Sequence, residues 1–130
     1  MTEQKRTTRR PVLAAGGLAV LLVGGASVAL AHHGWSGYGA EDFSLTGTVE
    51  NARLGNPHGL IKVRAEGGVW DVVLGPAVNQ QRAGLTEAEL PAGAGITAEG
   101  HRHQNPDRLE MKTERLRVGE RTFDIYPNRL

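Results

Sequence analysis

Five histidines are the residues of this chain whose type and spacing could do chemistry: His32, His33, His58, His101 and His103. His32 and His33 directly follow Ala29-Leu30-Ala31, and small residues at the outer two of those positions are what a signal peptidase requires. Cleavage after Ala31 would make His32 the amino terminus. An N-terminal histidine holds an α-amine and an imidazole nitrogen on one residue, a ready chelate for a divalent metal, and His33 adds a second imidazole. His101 and His103 stand two apart, so on a strand they share a face, with Glu99 at the preceding same-face position. That spacing serves a shared metal, and it equally serves a solvated strand end running with Arg102 and Gln104 into a polar turn. His58 follows Asn56-Pro57, where the proline restricts the backbone and gives the imidazole a defined direction, either as a third ligand or as a turn residue bonded to a nearby carbonyl.

The chain has no cysteine, which excludes zinc ribbons, iron–sulfur clusters and blue-copper centres, together with any disulfide framework. At nitrogen donors the stability order favours Cu(II) over zinc and nickel, and Met111, the one methionine besides Met1, argues against a methionine-rich Cu(I) site. The first expectation is therefore a copper-binding protein using His32 and His33, assisted by His58, His101 or His103. The second is a metal-free binding module in which Trp35, Tyr38 and Arg102 contact a small ligand, a glycan or a protein of the cell envelope. The third, ranked last because it needs a larger surface to present substrate, is a copper oxidase built on His32. Outside residues 1–31 the only serines are Ser36 and Ser44, neither in a nucleophile motif, and there is no HExxH or phosphate-binding loop. An enzyme is the minority expectation.

Lys5, Arg6, Arg9 and Arg10 precede an uncharged apolar run over residues 12–28, the layout of an export signal occupying residues 1–31. The rival is an uncleaved membrane anchor, which Gly16, Gly17, Gly24 and Gly25 would weaken; membrane attachment follows only if the leader is retained. Thr8-Arg9-Arg10-Pro11-Val12-Leu13 also fits a twin-arginine signal, and ordinary export fits as well. The expected destination is the periplasm or the medium. Four of the 15 Lys and Arg but only one of the 14 Asp and Glu lie in that leader, so the rest of the chain is mildly acidic, near −2. Interspersed charge of that sign gives no footprint for nucleic acid.

These residues need a scaffold, and the pattern after the leader is one of short strands divided by Gly, Asn and Pro. Residues 44–54 alternate through Leu45, Gly47, Val49 and Leu54, with a bulge or bend expected near the glycine. Residues 60–65 and 69–74 are β-rich runs around Glu66-Gly67-Gly68, a tight hairpin turn. Residues 76–83 and 86–90 are helix-like, the second opening with Thr86 and Glu89 spaced as a capping box. Strands return over residues 95–103, 109–118 and 122–126. The expected fold is mainly β: a small OB-like barrel of five to six strands with a short helical insert, over residues 44–130. Residues 32–43 form an N-terminal segment that Trp35, Tyr38 and Phe43 would anchor to the barrel, so holding His32 and His33 in place. Trp70 is expected to pack on the barrel with a partner for its indole N–H.

His32-His33-Gly34-Trp35-Ser36, Leu45-Thr46-Gly47-Thr48-Val49, Asn56-Pro57-His58, Val69-Trp70-Asp71-Val72 and Ile96-Thr97-Ala98-Glu99-Gly100 together resemble a family of small exported bacterial proteins of unknown function. The resemblance implies an exported, mostly β protein and brings no activity with it.

Overall fold

The computed structural model describes residues 34–130, and its strands close on themselves. Six strands occur in chain order: β1 (Phe43–Arg53), β2 (Leu60–Ala65), β3 (Gly68–Val73), β4 (Gly95–Arg102), β5 (Glu110–Val118) and β6 (Arg121–Asp124). β1 pairs antiparallel with both β2 and β4, β2 with β3, and β4 with β5. A parallel pairing of β3 with β5, from Asp71 beside Glu110 to Val73 beside Lys112, closes the ring. The resulting order β1-β2-β3-β5-β4 is an OB-type barrel, closed so that its five strands leave no open edge between them. β6 lies outside the ring, antiparallel to the second half of β5. Among the described residues there is one α-helix, α1 (Ala77–Ala83), which falls between β3 and β4 as the expected insert.

The interior follows from alternation. Leu45 and Val49 of β1, Ile61 and Val63 of β2, and Val72 of β3 turn inward and are buried, each contributing roughly 1.5–3 kcal/mol through removal from water. Trp70 joins them at 3% exposure, its Nε1–H donating to the Glu66 carbonyl at 2.9 Å. The β2–β3 turn is the tight hairpin expected: Ala65 pairs with Gly68, and Gly67 takes a φ of 85° that a side-chain-bearing residue resists.

The expected bulge in β1 falls shortly after Gly47, between Val49 and Asn51. Gly47 itself permits close approach of β2, since a Cβ there would stand 2.4 Å from the Arg64 carbonyl oxygen. One local expectation is corrected. The capping box does not form: Thr86 makes no side-chain cap bond to the 3-10 turn Glu87–Glu89. A turn of three residues offers little to cap, and the Glu89 carboxylate pairs with Arg121 of β6.

At the end of the barrel beneath α1, the buried Gln80 amide replaces missing backbone partners. It accepts from Gly55 N at 2.8 Å and donates to the carbonyls of Gly55 and Gly75 at 2.9 and 2.7 Å. The β1–β2 loop is thereby fixed to the segment that leads into α1.

Candidate functional site

The site with the densest chemistry is built by a bulge in β5. Opposite it, Glu99 pairs with Arg115 and Gly100 with Thr113, so Glu114 is the extra residue. Gly100 makes this crossing possible, because a Cβ on it would meet the Lys112 carbonyl oxygen at 2.0 Å. The bulge has two consequences. The Glu114 side chain turns out of the ladder toward β4, and its carbonyl accepts the N–H groups of both Ile125 and Tyr126, at 2.8 and 3.0 Å. The C-terminal chain is held there, with Tyr126 and the 3-10 turn Pro127–Arg129 beside the outer face of β4 and β5.

Trp35 is seated on this surface. Its ring meets Tyr126 edge-on at 5.0 Å and His101 at 5.8 Å, and the Arg129 guanidinium lies 3.9 Å from its centroid. Arg129 Nε also donates to Glu114 Oε1 at 2.9 Å, so one side chain holds both the tryptophan and the bulge carboxylate. Beneath them Lys112 is buried, its Nζ 5.8 Å from the centroids of Trp35 and Tyr126 and 3.3 Å from the Leu74 carbonyl. Burial pushes the Lys112 ammonium below its ordinary range and the Tyr126 phenol above its own.

His101 stands between two acceptors: Nδ1 lies 2.9 Å from the Glu41 carbonyl and Nε2 lies 3.2 Å from Glu114 Oε1. With Nδ1–H donating to the backbone, Nε2 is the nitrogen presented beside the carboxylate. The partner of His101 is therefore Glu114 and not Glu99, the carboxylate expected from strand spacing; Glu99 pairs with Arg117 at 3.1 Å.

His103 lies on the same side of β4 but is tied elsewhere. Its Nδ1 accepts from Asn105 N at 3.0 Å, and its ring stands edge-on to Tyr38 at 5.5 Å. Residues 37–39 are fastened to the strand end here: Gly39 N donates to the Arg102 carbonyl at 2.9 Å and Gln104 N to the Gly37 carbonyl at 2.7 Å. Tyr38 O–H donates to Glu110 Oε1 at 2.5 Å. Burial and that bond hold the phenol protonated well past its usual range. Burial would raise the Glu110 carboxyl, but the Tyr38 and Arg108 bonds prevail and lower it.

His58 is exposed in the β1–β2 loop, with no hydrogen bond to its ring among the described residues. That loop follows the end of β1, whereas His101 lies beyond the start of β1, where Phe43 pairs with Gly100. The structure thus brings His101 and His103 onto one face and leaves His58 at the far end. His32 and His33, with the expected cleavage position and the expected leader, lie outside the described residues. Among the described residues no group of three or more His, Cys, Asp or Glu is placed to hold a metal ion. Trp35 and Tyr38 anchor the N-terminal segment as expected, and Phe43 stacks on Trp70 at 5.4 Å.

Sequence reasoning did not single out Lys112, Glu114, Tyr126 or Arg129. One signal was available: the apolar positions of β5 change parity between Met111 and Leu116, which requires one extra residue between them.

Residues 19–123 match the family of unknown function DUF6152, which covers most of the chain. The chain belongs to this family. The match begins within the apolar run of residues 12–28 and ends at Phe123 within β6, so it includes His32, His33, Trp35, His101 and Glu114; Tyr126 and Arg129 of the site fall beyond it. A comparison with curated proteins finds no match.

Proposed function

We propose that this protein is an exported, periplasmic metal-binding protein that takes Cu(II) through His32 and His33, at an amino terminus made by removal of residues 1–31, with His101 as a nitrogen ligand supplied by the barrel. The observation that carries this reading is the seating of Trp35 against His101. His33 is two residues from Trp35, so their Cα atoms are at most about 7 Å apart, and an anchored Trp35 keeps the terminal chelate beside the barrel. A metal-ligating histidine commonly donates its other ring N–H to a carbonyl or carboxylate. The Glu41 carbonyl, 2.9 Å from Nδ1, supplies that partner for His101. Glu114 sets a carboxylate beside Nε2, and Arg129 keeps it in place. Four nitrogen donors, one amine and three imidazoles, without thiolate, suit Cu(II) above zinc or nickel.

The test is production of the full chain with its leader, recovery from the periplasm, and Cu(II) titration followed by calorimetry and electron paramagnetic resonance. The denatured mass should be that of residues 32–130. Binding should weaken at least about tenfold when one residue is inserted ahead of His32, and similarly for His101→Ala. Unchanged affinity in the insertion variant, or a mass that retains the leader, refutes the terminal chelate.

A further inference from the structure

Independently of the metal reading, a groove at the start of β1 carries a guanidinium that makes no ion pair among the described residues. Arg64, Arg108, Arg115, Arg117, Arg121 and Arg129 each pair with an Asp or Glu. Arg102 is placed differently. Its Cζ lies 4.6 Å from the Trp70 ring centroid and 5.8 Å from that of Phe43, and its Nη2 donates to the Pro106 carbonyl at 3.0 Å. Stacking and one backbone bond fix the plane of the group, and most of its five N–H donors have no partner among the described residues. Such a fork, held in one orientation, matches the two oxygens of a carboxylate.

The guanidinium borders a groove of about 640 Å³ between the start of β1, the β2–β3 turn and the segment leading into β5. Phe43, Leu45 and Leu109 give it apolar walls, and Ser44 and Thr46 add hydroxyl groups along β1. That volume is in the range of small-molecule sites. Glu66 lines the same groove, which disfavours a ligand with negative charge at both ends.

We propose that this groove binds a small organic acid, its single carboxylate on Arg102 and its apolar body along Phe43 and Leu109. Affinity then requires both halves of the ligand. The carboxylate replaces water on a guanidinium already held in place, and the apolar body covers a wall that the fold leaves open.

The experiment uses the ¹⁵N-labelled protein with three probes: 3-phenylpropionate, its neutral counterpart 3-phenyl-1-propanol, and acetate. The Trp70 Nε1–H and Arg102 Nε–H resonances report on the groove. Phenylpropionate should shift both saturably, with the alcohol and acetate each at least about tenfold weaker. Arg102→Gln should bring phenylpropionate down to the level of the alcohol. Equal midpoints for phenylpropionate and the alcohol in the wild-type protein overturn the proposal, whatever the variant does. So does a folded Arg102→Gln protein that binds phenylpropionate as the wild type does.

Discussion

Replacing Gly100 with alanine tests whether the β5 bulge organises the site. The added Cβ would lie 2.0 Å from the Lys112 carbonyl oxygen and 3.0 Å from Thr113 Cα. A carbon and a carbonyl oxygen on adjacent strands ordinarily stay about 3.3–3.6 Å apart, so the two strands must separate by more than an ångström. The obstacle is backbone held in a ladder on both sides, and no side chain can rotate away to relieve it. Overpacking of this kind costs about 1–3 kcal/mol, and a backbone clash belongs at the upper end. For a domain of this size, about 3 kcal/mol lowers Tm by roughly 12–24 °C. Gly95, at the other end of the same strand, is the control, because a Cβ there meets nothing within 4 Å and its φ is not positive. Gly95→Ala should be neutral or stabilise by up to about 1 kcal/mol, through the unfolded chain. Thermal unfolding by circular dichroism reads both variants. Tryptophan emission reports separately whether Trp35 leaves its seat on Tyr126 and His101 when the bulge is lost. A Gly100→Ala protein melting within about 3 °C of wild type, or a Gly95→Ala protein falling as far as Gly100→Ala, refutes the close-approach argument.

Gln80→Leu removes the amide that serves the backbone of Gly55 and Gly75; urea denaturation should show a loss of about 3 kcal/mol or more, and a loss under 1 kcal/mol contradicts the bridge. Thr113→Val should act in the opposite direction. The Thr113 hydroxyl is buried with no hydrogen-bond partner among the described residues, and replacing it by an isosteric methyl should stabilise by about 1 kcal/mol in the same assay. The Glu110 carboxyl is lowered in the folded protein, so its contribution is complete above the ordinary carboxylate range and is lost as pH falls through the folded value. Melting temperature followed from pH 7 down to pH 2 should therefore decline less steeply in Glu110→Gln than in wild type, and parallel acid limbs count against the Tyr38–Glu110 pair. For Lys112 the sign reverses: its depressed ammonium opposes folding while charged, so stability should rise as pH increases from the folded value toward the ordinary lysine range. Lys112→Met should abolish that alkaline rise.

The barrel was legible because its signals are local and periodic. Alternation in β1, two β-rich runs on either side of Gly67-Gly68, and a helix-like insert between the third and fourth strands are each written in a few adjacent residues. What escaped were features set by two distant segments at once. Spacing placed Glu99 beside His101 by counting along one strand, yet the carboxylate that reaches His101 comes from the neighbouring strand, where one extra residue turns Glu114 out of the ladder. The shift from Met111 to Leu116 marks that residue within β5, but only the pairing with Gly100 reveals which way it points. Tyr126 and Arg129 were less accessible still. Nothing near them in sequence predicts that the Glu114 carbonyl will draw the C-terminal chain across the barrel and set a guanidinium 3.9 Å from Trp35. The two ends of the described chain thus meet on one bulge, and this arrangement has a consequence for the metal reading. If Arg129 fixes both Trp35 and Glu114, Arg129→Ala should leave Cu(II) bound to the terminal amine and imidazoles while removing the His101 contribution. Resonance spectra should then show one nitrogen fewer around copper, with the barrel's melting temperature lowered by less than in Gly100→Ala. Unchanged copper coordination in a protein whose Trp35 emission has shifted would separate the Trp35 anchor from the copper site and refute the coupling through Arg129.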